Sequence, residues 1–346
     1  MALDVLHDRH HPDVNDGSHA HCCEARYSWF AAISIEFSEI CRVARQDVAC
    51  PDAERPCRGE PASRRHRLSA LISFRVLTLQ ELHMADTQEK AGRVYHETHG
   101  HVLKIVIDNA TKKNAFSPEM MRELSDALTL LDGDENLWVG LLCANGADFT
   151  AGLDMPKFFG PKATVKPLPE GNIDPFGLRS RCRKPIVTAV QGIVFTIGIE
   201  ISLAGDIVIA ADDSRFCQME SKRGIAPLGG AHFRYLTRMG WGDAMYHLFL
   251  CDEFKADRAL KIGLVQEVVP AGTQIERAMD IAQTIAKNAP IGIQVTKHAA
   301  LQFIEAGEKA AIDIIPGIRD RVMNTDDMKE GIQSFVERRP AVFKGR

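Results

Sequence analysis

Residues 93–109, "RVYHETHGHVLKIVIDN", set β-branched and apolar residues either side of a polar break at Gly100, which predicts a β-hairpin. The following segment, "SPEMMRELSDALTLLDGDEN", repeats its apolar positions at helical spacing. Ser117 stands as its N-cap, Pro118 at the first helical position and Glu119 near the positive end of the dipole. Three mainly apolar runs, "LWVGLLCA", "KPIVTAVQG" and "DIVIAADD", predict buried strands. Between the first two lies residues 156–178, too rich in Pro and Gly for regular structure. Strands thus alternate with helices, the pattern of a layered α/β core. Beyond about residue 230 the apolar positions recur almost only at helical spacing. "GAHFRYLTRMG", "GDAMYHLFLC", "KADRALKIG", "TQIERAMDIAQTIAKNAP", "IGIQVTKHAALQFIEAG" and "DDMKEGIQSFVERR" predict helices, with "LVQEVVP" a short strand among them.

Composition narrows the function. A net charge of −4 over 346 residues argues against a general nucleic-acid binder. No apolar run reaches the ~18 residues of a membrane span, and no secretory signal opens the chain, so a cytoplasmic protein is expected. The first quarter differs from the rest. Residues 1–83 contain no lysine, whereas 84–346 contain sixteen. "HDRHHPDVNDGSHAHCCEAR" is rich in His and Cys but lacks paired metal-ligand spacing, so no metal site is assigned. Residues 1–83 are expected to be a poorly ordered or non-native extension, with Met84 as the natural start. An organelle-targeting role fits less well, because twelve acidic residues offset ten arginines there. Cys143, Cys182, Cys217 and Cys251 are scattered, as reduced thiols are.

Two stretches carry candidate chemistry. "QGIVFTIG" runs a buried strand into a short helix, leaving unpaired N–H groups near Ile197 at the positive end of the dipole. "CANGADFTAGLDM" likewise ends a buried strand in a loop, where Gly146 and Gly152 let the backbone approach a ligand. Each alone reads as an ordinary structural turn; together they suit a developing oxyanion. Glu200 and Glu220 stand in largely apolar text twenty positions apart. Taken singly, Glu200 reads as a buried hydrogen-bonding residue and Glu220 as a solvated neighbour of Lys222 and Arg223.

"FTAGLDM", "AVQGIVFTIGIEISLAGDIVIAADDSRFCQMES" and "EGIQSFVERRPAVFKG" resemble, in order and spacing, the enoyl-CoA hydratase/isomerase (crotonase) family, from about residue 92 to the C-terminus. The resemblance implies an α/β core of repeated ββα units over 84–270. It also implies a helical C-terminal region over 271–346 that serves trimerisation and covers the acyl site. It implies an oxyanion hole from the N–H groups of Leu153 and Ile197, and Glu200 and Glu220 as the catalytic pair at the hydratase separation. CoA and substrate contacts fall on Lys112, Lys113, Ala115, Ala151, Asp154, Met155, Pro156 and Gly198. The implied partner is an acyl-CoA thioester, in a homotrimer or dimer of trimers. No cofactor is implied beyond the coenzyme A of the substrate.

The chain departs from the family at three places. Thr196-Ile197-Gly198 replaces a run of glycines, Met219 a proline and Leu228 a glycine. Ile197 is expected to add bulk on the thioester path. The leading expectation is a hydratase adding water to a 2-enoyl-CoA. An isomerase using mainly Glu220 and a non-catalytic acyl-CoA binder are the alternatives, the binder resting on Thr196, Ile197 and Leu228 closing the pocket.

Overall fold

The structure, a computed structural model, describes residues 91–346. The expected extension over 1–83 and the start at Met84 lie outside the described residues. The hairpin forms as its pattern predicts. β1 (Arg93–His99) pairs antiparallel with β2 (Val102–Asp108) across a turn in which Gly100 has φ 62°. α1 (Pro118–Gly133) follows, and the Ser117 side chain accepts from the Met120 N–H at 3.2 Å. That cap satisfies one of the helix's orphan donors. Next come β3 (Val139–Ala144), a short α2 (Met155–Phe159), β4 (Ile186–Val190), β5 (Ile193–Phe195) and α3 (Ile197–Ala204). β6 (Ile207–Ala211), β7 (Arg215–Cys217), α4 (Ala231–Leu250), β8 (Phe254–Lys255), α5 (Ala256–Lys261) and β9 (Glu267–Val269) complete the α/β part.

Six strands build one sheet in the order β1-β2-β3-β4-β6-β9, parallel except for the opening hairpin. β3 and β4 are buried along their whole length, as strands covered on both faces are. One face packs against α1 and holds the larger core, with Leu103, Ile105, Leu124 and Leu142. The other face is covered by α6 (Gln274–Ile285), whose Ala278 and Ala282 sit against Val106, Leu141 and Val187. β5, β7 and β8 make a second, three-stranded sheet. Its strands are two or three residues long, too short for an alternating pattern to show in the sequence.

α4 is two helical stretches bent at Gly240, where φ is 77°. α7 (Pro290–Asp313), α8 (Ile315–Met323) and α9 (Asp326–Glu337) continue the helical region, α8 being a helix that the pattern does not predict. These helices bury little of their own apolar surface; Phe303, Ile304, Ile315, Phe335 and Val336 are exposed. Among the described residues, no helix is long and apolar enough to cross a membrane. The four cysteines there are free and buried. Burial pushes the Cys143 and Cys217 thiols up to about 11 and Cys182 to about 12.

Candidate active site

Two strand-end loops meet at the junction of the two sheets. Thr150 forms a bridge with Val194, and the Phe195 N–H donates to the Thr150 carbonyl at 3.1 Å. Gly152 has φ 111°, and a Cβ there would lie 2.5 Å from Thr196 Oγ1. A Cβ on Gly198 would lie 2.6 Å from Thr150 Cγ2. The Thr196 and Thr150 side chains therefore pack directly on the glycine backbone of the facing loop, where a Cβ would displace them. The N–H groups of Leu153 and Ile197 have no acceptor among the described residues. Ile197 opens α3, so its amide also carries the positive end of that helix.

The segment expected to meet the CoA lies against the first loop. Lys113 and Asn114 both take positive φ, 50° and 53°. The Lys113 carbonyl accepts from the Ala151 N–H at 2.9 Å, and the Ala115 N–H donates to the Lys112 carbonyl at 3.0 Å. Phe116 bridges Leu153 and accepts from the Asp154 N–H at 2.8 Å. Lys112, Lys113, Ala115, Ala151 and Leu153 are thereby gathered along one edge. Met155 and Pro156 open α2 and are exposed, Asp154 lies just ahead of them, and Gly198 is buried in the first turn of α3.

Ile197, expected to add bulk on the thioester path, is 5% exposed and packs its side chain with the main core. The unusual backbone sits one residue earlier. Thr196 has φ 49° and ψ −114°, a conformation that costs a β-branched residue about 1–3 kcal/mol. Leu228 is 75% exposed.

Both glutamates are buried, Glu200 at 2% and Glu220 at 7% exposure, so neither is a solvated residue. Glu200 projects from α3. Its Oε1 accepts from the Ala231 N–H at 3.2 Å, where α4 begins. A Cβ on Gly229 would lie 2.5 Å from Glu200 Oε2 and 2.6 Å from the Phe176 ring, so only glycine fits there. Burial raises Glu200 above the ordinary carboxylate range. The Ala231 and Gly229 amides and the charges of His232 and Arg234 offset part of that rise. Glu220 opens a 3-10 turn (Glu220–Arg223) after β7, and its Oε1 accepts from Gln218 Nε2 at 2.9 Å. Its Oε2 has no hydrogen-bond partner among the described residues. Burial, and then the neighbouring charge of Glu200, push Glu220 up to about 7. One acid is thus steadied by backbone donors, while the other is poised to hold a proton near neutrality.

Sequence reasoning missed Gln218, whose amide fixes one oxygen of Glu220 from two positions away. It also missed a group of arginines on the far side of the 229–234 turn. Arg234 Nη1 and Nη2 donate to the Gly229 and Gly177 carbonyls at 3.1 and 3.2 Å. Arg181 donates to the Ala204 and Gly205 carbonyls, and Arg238 to that of Asp206. Burial, with Arg181 nearby, draws Arg234 down to about 10. An arginine directly after "GGAHF" is the only signal the sequence holds for this group. His232 bonds the Pro227 carbonyl, and His247 is buried. Among the described residues, no group of three His, Cys, Asp or Glu could hold a metal ion.

Residues 97–346 match the sequence model of the enoyl-CoA hydratase/isomerase family. The chain is 29% identical to an enoyl-CoA hydratase of Mycobacterium tuberculosis, over 72% of this chain and 96% of that one. It is 26% identical to the 2,3-dehydroadipyl-CoA hydratase of Escherichia coli, over 71% and 96%. Its fold is similar to that of a probable enoyl-CoA hydratase/isomerase from Mycobacterium abscessus. That structure has a TM-score of 0.70 and 39% identity, with 73% of this chain and 98% of that one covered. The enoyl-CoA hydratase structure from Mycobacterium tuberculosis H37Rv gives 0.69 and 31%, over 73% and 99%. With a family match over residues 97–346, this chain is an enzyme of the enoyl-CoA hydratase/isomerase family.

Proposed function

We propose that this enzyme adds water across the double bond of a 2-enoyl-CoA thioester. The observation that carries the reading is the pair of buried carboxyls in unequal surroundings, beside two free strand-end amides. The Leu153 and Ile197 N–H groups hold the thioester oxygen as negative charge develops on it. One such donor is worth roughly 3–4 kcal/mol of barrier. Glu200, ionised, takes a proton from water; the resulting hydroxide attacks Cβ. Glu220, protonated, gives its proton to Cα, and the enolate collapses to the 3-hydroxyacyl thioester. The proton that Glu200 gains replaces the one that Glu220 loses. The edge of Lys112, Lys113 and Ala115 supports binding of the nucleotide end of CoA, and Ala151, Asp154, Met155, Pro156 and Gly198 line the approach to the thioester. The reaction needs no group beyond the CoA of the substrate.

An isomerase needs one carboxylate to shuttle a proton, and Glu220 suffices for that. It gives no reason for a second buried carboxyl, Glu200, whose charge acts on Glu220, to be held by the amide that opens α4. The binder reading rested on a closed pocket, whereas Ile197 packs inward and Leu228 points outward. The exposed apolar residues of α7, α8 and α9 support assembly into a trimer, or a pair of trimers.

Substrate choice separates the readings. A hydratase removes the enoyl-thioester absorbance of crotonyl-CoA and yields the 3-hydroxy product. Failure with 2-enoyl thioesters, alongside conversion of 3-enoyl thioesters that survives Glu200→Gln, would establish the isomerase instead.

A further inference from the structure

Tyr235 is fully buried in the main core, on the face of α4 one turn beyond Ala231, the residue whose N–H holds Glu200. Its hydroxyl has no hydrogen-bond partner among the described residues. A phenol buried in this way gives up its hydration for nothing, and phenylalanine would pack the same space at lower cost. A second buried atom also lacks a partner among the described residues, Glu220 Oε2, and Glu220 is the first of the charged neighbours that act on the Tyr235 hydroxyl. One is a donor and the other an acceptor. The groups that act on the Tyr235 hydroxyl come from two sides. Glu220 and Cys217 lie along β7 and the turn after it, and Glu200 lies on α3. Burial holds the phenol well above its usual range and their charges add to this, so Tyr235 stays protonated and able to donate.

We propose that Tyr235 is a positioning residue for Glu220, its hydroxyl donating to Oε2 through one enclosed water while Gln218 holds Oε1. The carboxyl is then gripped at both oxygens, and its remaining lone pair or proton is aimed at the substrate. Because the bond favours the ionised form, it also keeps the proton on Glu220 from being held too tightly to transfer. The proposal rests on the catalytic reading of Glu220, so its test uses a readout other than turnover.

The measurement is thermal stability against pH for the full chain as wild type, Tyr235→Phe, Glu220→Gln and the double variant. Glu220 is raised in the folded state. Its stabilising effect is therefore present below the ordinary value of 4.5 and lost as pH rises through about 7. Removing the phenol hydroxyl raises that folded value further, so in Tyr235→Phe the loss extends to higher pH by about one unit. In the Glu220→Gln background the same change has no pH-dependent effect. Parallel curves for wild type and Tyr235→Phe would overturn the proposal. If Tyr235→Phe is too unstable to titrate, the wild-type infrared band of the protonated Glu220 carboxyl, identified by its loss in Glu220→Gln, decides. A band at the frequency of a doubly bonded carboxyl supports the grip, and one at that of a carboxyl with a single partner refutes it. A shifted stability curve with no turnover on any enoyl thioester would count against the hydratase and leave the Tyr235–Glu220 bond standing.

Discussion

The segment of residues 229–234 lies between two clusters of charge that the protein treats in opposite ways. On one side, Arg181, Arg234 and Arg238 spend their guanidinium donors on backbone carbonyls and hold the turn in place. On the other, Glu200 and Glu220 are buried, and among the described residues one oxygen of Glu220 has no direct hydrogen-bond partner. Satisfied charges rigidify; unsatisfied ones store free energy that a substrate can use. The arginines are the scaffold on this view, and the glutamates are the chemistry. Substitutions on the two sides should therefore differ in sign as well as size.

The largest expected effect is on turnover. Glu200→Gln and Glu220→Gln each lower the rate of hydration by about 10²–10⁴-fold, read from the enoyl-thioester absorbance. On the scaffold side, Arg234→Ala orphans the Gly229 and Gly177 carbonyls and costs about 2–4 kcal/mol, measured by denaturant unfolding. Because Gly229 and Ala231 frame Glu200, activity falls along with stability in that variant. Glu220→Gln moves stability the other way. The wild type carries a buried ionised carboxylate above about pH 7, so at pH 8 the glutamine variant is more stable by about 3 kcal/mol, and the gain vanishes below pH 4.5. Leu228→Gly changes stability by no more than about 0.5 kcal/mol and leaves turnover nearly unchanged, since the side chain is exposed. A large gain in rate from Leu228→Gly would show that it does obstruct the pocket.

The elements with local signals were legible in the sequence. Ser117, Pro118 and Glu119 announce α1, and Gly100 the opening hairpin. The two glutamates stood out because ionisable residues in apolar text need a reason. What escaped depends on contacts between distant segments. Tyr235 lies on α4, far along the chain from the charged residues that act on it, whereas Gln218 is only two positions from Glu220 but no local pattern shows which way its amide turns. The side-chain direction of Ile197 depends on the turn of backbone at Thr196, whose positive φ no local pattern reveals in a β-branched residue. α8 and the strands of the small sheet are short and lack a strong period of their own.

On the proposed mechanism, two carboxyls share one hydration step. The most direct test is hydration of crotonyl-CoA by wild type, Glu200→Gln and Glu220→Gln at neutral pH, with CoA-ester affinity measured in parallel. Both variants should bind the ester about as well as wild type and turn it over at least about a hundredfold more slowly. Near-wild-type turnover in either one would contradict the division of labour between Glu200 and Glu220.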